Sequence, residues 1–288
     1  MAKRKKVRSN QPKTQRISIG SSNAQLDILI PVYQRFDLLK QCLMALPDAC
    51  GDINYRVVLF DNGSPKEEAD EFYSQDFGEQ NIKVIRNKDN VGFPRACNIA
   101  FNHGYAPLVF FLNDDVILDP NSVPLLVKEF DDPKIGIVGM KLVFPEYTDL
   151  PQDQHNRPAG KVQHIGLETS VNADFVHLYL GWNPDHPKVN KRRDCYAVTG
   201  AAMMIRRPLF IRAGKFYEGY GRGTWEDVDL CMVVRSMGYN IIVVPEAKGI
   251  HHTEATATTY NLGYDLQGNK QIFLSRWKNN LDWSEWLY

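Results

Sequence analysis

The chain has 288 residues, 43% hydrophobic and 24% charged, a composition that excludes disordered, collagenous and coiled-coil classes. Lys plus Arg and Asp plus Glu balance at 34 each, but the first sixteen positions hold seven bases and no acid, which leaves 27 bases against 34 acids in the rest. No apolar run approaches the ~20 residues of a membrane span, no secretory signal opens the chain, and five cysteines without a C-x-x-C pair speak against a disulfide framework or structural zinc site, so a cytoplasmic protein with reduced thiols is expected.

Residues 1–24 read as a basic, disordered tail whose charge suits an anionic surface, so peripheral membrane association stays open. From there apolar runs of strand length alternate with amphipathic stretches of helix length. Leu26 to Val32, Arg56 to Phe60, Ile82 to Ile85 and Leu108 to Leu112 read as buried strands, with helices beginning near Phe36, Pro65, Phe93 and Pro120. Repeated βαβ units predict an α/β fold: a parallel sheet with helices on both faces and a ligand crevice beyond the carboxyl ends of the strands. The second half is less regular. It offers a strand at Ile135 to Phe144, a polar stretch from Pro145 to about Asp194, a strand at Tyr196 to Ile205, a helix from Thr224 to Met237 and a strand at Ile241 to Val244. Near the C-terminus Phe273, Trp277, Leu281 and Tyr288 fall close to one helical face, with Trp283 and Trp286 beside it. An interfacial helix would be richer in Lys and Arg, so residues 257–288 are expected to pack on the domain.

The strand ends are polar: Pro31-Val32-Tyr33, Asp61-Asn62-Gly63-Ser64, Asn87 and Asn113-Asp114-Asp115. No G-x-x-x-x-G-K-[ST] loop, dinucleotide fingerprint or H-E-x-x-H motif accompanies them, which removes P-loop, ordinary dehydrogenase and zincin readings. Carboxylates clustered at a buried strand end repel each other unless a cation neutralises them, and Mg2+ or Mn2+ shared with a diphosphate would do so. A plain turn or helix cap explains the same residues equally well. In Asn87 to Asn98 a turn containing Asn90 and Gly92 precedes a helix whose amides, with Arg95, can face a phosphate, although an ordinary β-α turn looks the same. Thr224-Trp225-Glu226-Asp227 resembles a capping box with Thr224 as N-cap, yet it follows a glycine-rich loop and offers a carboxylate for general-base work. His251-His252 can supply a neutral imidazole to a metal.

Taken in order and spacing, Pro31-Val32-Tyr33, Asp61 to Ser64, Asn87 to Asn98, Leu112 to Val116, Val198-Thr199-Gly200-Ala201-Ala202, Glu226 to Leu230 and His251 resemble the family 2 glycosyltransferases, closest to the rhamnosyltransferase-like branch. The resemblance spans about residues 25–256. It implies a GT-A fold, in which a Rossmann-like nucleotide-binding sheet (about 25–120) is fused to a smaller acceptor-binding half (about 121–256). It implies an inverting, metal-dependent transfer from a nucleoside diphosphate sugar to an acceptor hydroxyl. By the same resemblance Pro31, Tyr33, Asp61, Asn90, Gly92, Arg95, Asn113 and Asp114 contact the donor, Asp115 and His251 the divalent metal, and Asp227 is the catalytic base. Asn113 stands where the D-x-D motif often has its first acid, which puts the weight of metal binding on Asp115. Glycan, lipid-linked, protein and modified nucleic-acid acceptors all stay open. The alternative is a non-catalytic nucleotide-sugar or glycan-binding protein of the same fold, which intact Asp115 and Asp227 disfavour. A sugar-nucleotide pyrophosphorylase would need a glycine-rich loop where Pro31 to Arg35 stands.

Overall fold

A computed structural model describes residues 23–77, 81–146, 158–169, 174–253 and 263–277. The basic tail through residue 22 and Leu281, Trp283, Trp286 and Tyr288 lie outside these residues. The first half follows the expected alternation: β1 (Leu26–Val32), α1 (Phe36–Cys50), β2 (Tyr55–Asn62), α2 (Lys66–Tyr73), β3 (Ile82–Asn87), α3 (Phe93–Phe101) and β4 (Leu108–Leu112). Strands β1, β2, β3 and β4 are parallel, in the order β4-β1-β2-β3. Period-two alternation on β1 serves two buried faces: Ile28 and Ile30 share an apolar cluster with Leu39, Leu43 and Leu46 of α1, and Leu29 joins Ala96, Cys97 and Ala100 of α3.

The second half adds β5 (Val116–Leu118), α4 (Ser122–Glu129), β6 (Ile135–Val143), β7 (Val162–His164), β8 (Leu167–Thr169), β9 (Phe175–His177), β10 (Arg193–Asp194), β11 (Ala202–Arg206), α5 (Arg207–Arg212), α6 (Glu226–Ser236), β12 (Asn240–His251) and α7 (Leu266–Trp277). Here the expected all-parallel sheet needs correction, because β11 lies between β4 and β6 and is antiparallel to both, making a mixed ten-stranded sheet. The strand read from Tyr196 starts only at Ala202, since a turn at Gly200 and Ala201 precedes it. The polar stretch after Pro145 also holds the short β7 to β10. Strand β12 runs far past Val244: after a register shift between Val244 and Lys248 it resumes pairing with β6 and pairs on its other edge with β5, where His251 stands opposite Val116.

One polar knot is sunk in the core. Asp27 accepts Arg56 Nε at 3.0 Å, Arg207 Nη2 at 2.6 Å and the backbone amides of Tyr105 and Ala106 at 2.6 and 2.7 Å. It ties β1 to β2, to the loop before β4 and to α5. Asp27→Ala leaves two guanidinium groups uncompensated below the surface, so urea titration should show a loss of about 3–5 kcal/mol.

Candidate active site

Beyond Leu29 and Phe111 the ladder between β1 and β4 stops. Pro31, which has no amide to donate, therefore costs no hydrogen bond on that side, and the carboxyl ends of the strands are where this architecture places a ligand crevice. Its floor is lined by the ends of β1, β2 and β4. Tyr33 N donates to Asp114 Oδ2 at 3.4 Å. At the end of β2, Asp61 is buried, with Oδ1 accepting Ser64 N at 2.9 Å and Oδ2 accepting Arg86 Nε at 3.2 Å.

Asn62, which the sequence reading did not select, holds the next wall. Its Nδ2 donates to Asn90 Oδ1 at 3.0 Å and its Oδ1 accepts Val91 N at 2.8 Å, while Asn90 Oδ1 also accepts Gly92 N at 3.0 Å. Gly92 has φ 85°, and a β-carbon there would run into the Gly221 carbonyl. The glycine is thus needed because two loops touch at this point. Arg95 stands exposed on α3, and its ion pair, at 3.8 Å, is with Glu218 rather than with a strand-end carboxylate.

After β4, Asn113, Asp114 and Asp115 turn toward β5. Burial and the adjacent Asp115 push the Asp114 carboxyl well up. Burial acts on Asp115 too, but the imidazoles of His251 and His252 outweigh it and hold Asp115 below the usual carboxylate range. His251 Nδ1 faces Gln163 Oε1 at 3.0 Å, and Gln163 Nε2 donates to Thr253 Oγ1. His251 Nε2 looks at Asp115 Oδ1 across 3.2 Å. Both of those atoms are buried, and among the described residues neither has an aligned hydrogen-bond partner; the same holds for Asn113 Oδ1. A carboxylate oxygen and an imidazole nitrogen buried face to face call for positive charge between them: a proton on Nε2 or a divalent cation.

Across the crevice the first turn of α6 carries the second acid group. Thr224 is not the N-cap: Trp225 occupies that place in the left-handed region, with no side-chain cap bond, and Asp227 points elsewhere. Half-buried Asp227 accepts Gly200 N at 2.9 Å through Oδ2 and Val228 N at 2.8 Å through Oδ1. Burial raises its pKa, while the backbone donors at Gly200 and Val228 restrain the rise. Glu226 is pushed further, by its own burial and by the charges of Asp227 and Asp229, and its Oε2 has no hydrogen-bond partner among the described residues.

A short backbone segment joins the two acid groups. The Ala201 carbonyl accepts Asn113 N at 2.9 Å, and Gly200 N holds Asp227, so adjacent residues of one turn register the β4 end against α6. Behind that turn, buried His164 accepts Gly166 N and Thr199 N on Nε2, at 3.3 and 3.4 Å, and its Nδ1 lies 3.0 Å from His177 Nδ1. Burial and the neighbouring imidazoles of His177 and His251 hold His164 neutral. Neither His164 nor Gln163 sits in a motif, and no spacing rule could have found them.

Comparison with known proteins adds the lineage. The family model for glycosyl transferase family 2 matches residues 27–211. The O-antigen biosynthesis protein RfbC of Myxococcus xanthus is 26% identical over 240 residues, 81% of this chain but 18% of that protein. A relative from Sinorhizobium fredii is likewise spanned over only 25% of its length. Among solved structures, GalNAc-T7 with UDP, GalNAc and Mn2+ superposes with a TM-score of 0.68 at 15% identity, covering 88% of this chain and 49% of that one. A mannosyltransferase from Pyrobaculum calidifontis in complex with GDP-Man and Mn2+ gives 0.56 at 16% identity, covering 93% and 73%. These likenesses bear on the fold, which is GT-A, with the Rossmann-like strands β4-β1-β2-β3 forming one end of the sheet. With a matched region that runs from β1 into α5 and takes in the crevice floor, the chain belongs to glycosyl transferase family 2.

Proposed function

We propose that the protein transfers a sugar from a nucleoside diphosphate sugar to an acceptor hydroxyl, with inversion at the anomeric carbon and with help from a divalent cation. The observation that carries this reading is the pairing of two acid groups across one crevice: Asp115 with His251 on one side and Asp227 on the other, registered by the Gly200–Ala201 backbone.

The residues fit a metal. Asp115 Oδ1 and His251 Nε2 present unsatisfied atoms to one another, and Gln163 orients the imidazole from behind. Among the described residues no third His, Cys, Asp or Glu completes a cluster, so the remaining ligands would be diphosphate oxygens and water, the pattern of Mg2+ and Mn2+ bound with a nucleotide. Bound there, the cation would neutralise charge gathering on the departing diphosphate. Mn2+ and a nucleotide accompany both superposed neighbours, one with UDP and one with GDP-Man, which supports the donor class and leaves the base open.

In the transfer, the acceptor oxygen forms a bond to the anomeric carbon as that carbon's bond to the diphosphate oxygen breaks. The electron pair leaves with the nucleoside diphosphate, and the acceptor's proton passes to Asp227. Asp227 suits the part because it is half-buried and reachable, and its carboxylate is held in place by two backbone donors. Pro31, Tyr33, Asp61, Asn90, Gly92, Asn113 and Asp114 line the donor half in this reading, with Arg95 at its edge.

No helix among the described residues is long and apolar enough to cross a membrane. The experiment that tests the function is incubation of the full chain with a panel of nucleotide sugars and Mn2+, scored for released nucleoside diphosphate. Release from one or two donors and dependence on the cation are expected. A protein that binds the nucleotide but never turns over any donor would be the non-catalytic alternative.

A further inference from the structure

Helix α7 lies beyond the residues matched by the family model, yet it reaches into the machinery of the crevice. We propose that Asn269 of α7 is a positioning residue: its side-chain amide holds the turn from Tyr220 to Thr224 in a strained shape that sets the first turn of α6, and with it Asp227. The proposal rests on the reading of Asp227 as base.

The amide sits in a cradle of acceptors. Asn269 is 4% exposed, and its Nδ2 lies 3.1 Å from Tyr220 O, 2.7 Å from Gly223 O, 3.3 Å from Thr224 O and 3.0 Å from Thr224 Oγ1. Three carbonyls and a hydroxyl converging on one nitrogen make a site that only a donor can fill, and a carboxylate of the same shape would be repelled. What the cradle holds is unusual backbone. Thr224 and Trp225 follow one another at φ 78° and φ 72°, a left-handed pair without glycine, and the first is β-branched. Such a conformation persists only where the surroundings over-determine it. Trp225 is the N-cap of α6, so relaxation of this pair would turn the start of the helix and pull Asp227 away from Gly200 N.

The surroundings are arranged to prevent that. Asp229, one turn into α6, accepts Arg276 Nε at 2.8 Å, Arg276 Nη2 at 3.1 Å and Trp277 Nε1 at 2.6 Å, which fixes α7 against α6. Phe273 is buried, with its ring centroid 5.0 Å from that of Trp225. On the opposite side Phe93 N donates to Arg222 O at 3.1 Å, so the turn is held between α7 and the start of α3. A packing contact alone would need no amide at position 269. The chemistry of the cradle points to a latch on the turn itself.

Full-length wild type, Asn269→Ala and Asn269→Asp are compared by hydrogen–deuterium exchange and by steady-state kinetics on a donor that the panel identifies. Faster exchange confined to residues 220–227 is expected, greater for Asp than for Ala. With it kcat should fall about tenfold or more, as for a displaced catalytic group, while donor KM and the calorimetric affinity for the nucleoside diphosphate with Mn2+ stay within about twofold. Thr224→Gly, which removes the penalty of φ 78°, should return part of the lost kcat to Asn269→Ala. Unchanged exchange over residues 220–227 overturns the latch. A loosened turn with unchanged kcat, an Asp variant no worse than Ala, or loosening spread over the whole sheet overturns the positioning role. Should Asp227→Asn retain full activity in the same assays, the proposed function fails, and the exchange data still decide the latch separately.

Discussion

Asp227→Asn is expected to lower sugar transfer by about 10²- to 10⁴-fold, the range for loss of general-base assistance, with nucleoside diphosphate affinity nearly unchanged. The physical reason is that the acceptor's proton must leave as its oxygen bonds, and an amide cannot take it. Asn keeps one oxygen, which can still accept Gly200 N and so hold the turn, while the bond from Val228 N is given up. Residual activity within about tenfold of wild type would contradict the assignment. The pH profile gives a second readout. Burial raises the Asp227 carboxyl above its ordinary range, so the base form is complete only at higher pH than for an exposed Asp. Activity should be present above that raised pKa and fall as pH drops through it, with a midpoint above the ordinary ~3.9. For stability the sign is opposite: a carboxyl whose folded pKa is raised favours the fold while protonated, and that contribution is lost as pH rises from the unfolded to the folded value. Inversion is checked separately by the anomeric coupling in the product's NMR spectrum, where a retained configuration would reject single displacement. Of the two carboxylates nearest in the same helix turn, Asp229 is engaged by Arg276 and Trp277 and Glu226 is buried.

The second large effect concerns the cation. Calorimetry with a nucleoside diphosphate should show strong binding to wild type only when Mn2+ is present, since the diphosphate would otherwise meet Asp115 uncompensated. Asp115→Ala should collapse the ratio of affinities with and without Mn2+ to about one, and His251→Ala should reduce it by about 10- to 100-fold, on the scale seen when metal-site partners are removed. Asp227→Asn should leave the ratio intact. Equal affinity with and without Mn2+ in wild type would refute the metal assignment and leave Asp115 and His251 as an imidazolium–carboxylate pair.

Asp115 and His251 also show where reading the chain alone reaches its limit. Apolar runs bounded by turn residues were enough to place β1 and β4 to the residue, because a buried strand must be mostly hydrophobic whatever its neighbours do. The polar strand ends were legible for the same reason: Asp61 and Asn113 to Asp115 interrupt apolar runs and so announce themselves. The sequence order of motifs was sufficient to suggest the family. It could not reveal that β11 runs backwards between β4 and β6, since strand direction is set by which edges the connecting loops can reach and leaves no mark on a five-residue strand. Thr224 looked like a helix cap because its spacing to Asp227 fits one; Gly200 N competes for that carboxylate from 27 residues away, and the competition exists only once the chain is folded. The seating of His251 beside Asp115 depends on a register shift in β12, and the Gln163 and Asn269 contacts join segments 88 and up to 49 residues apart. Composition and periodicity thus determined that a parallel βαβ half exists and where its strands end. Long-range pairing, for which local sequence carries no period, decided which polar side chains meet there.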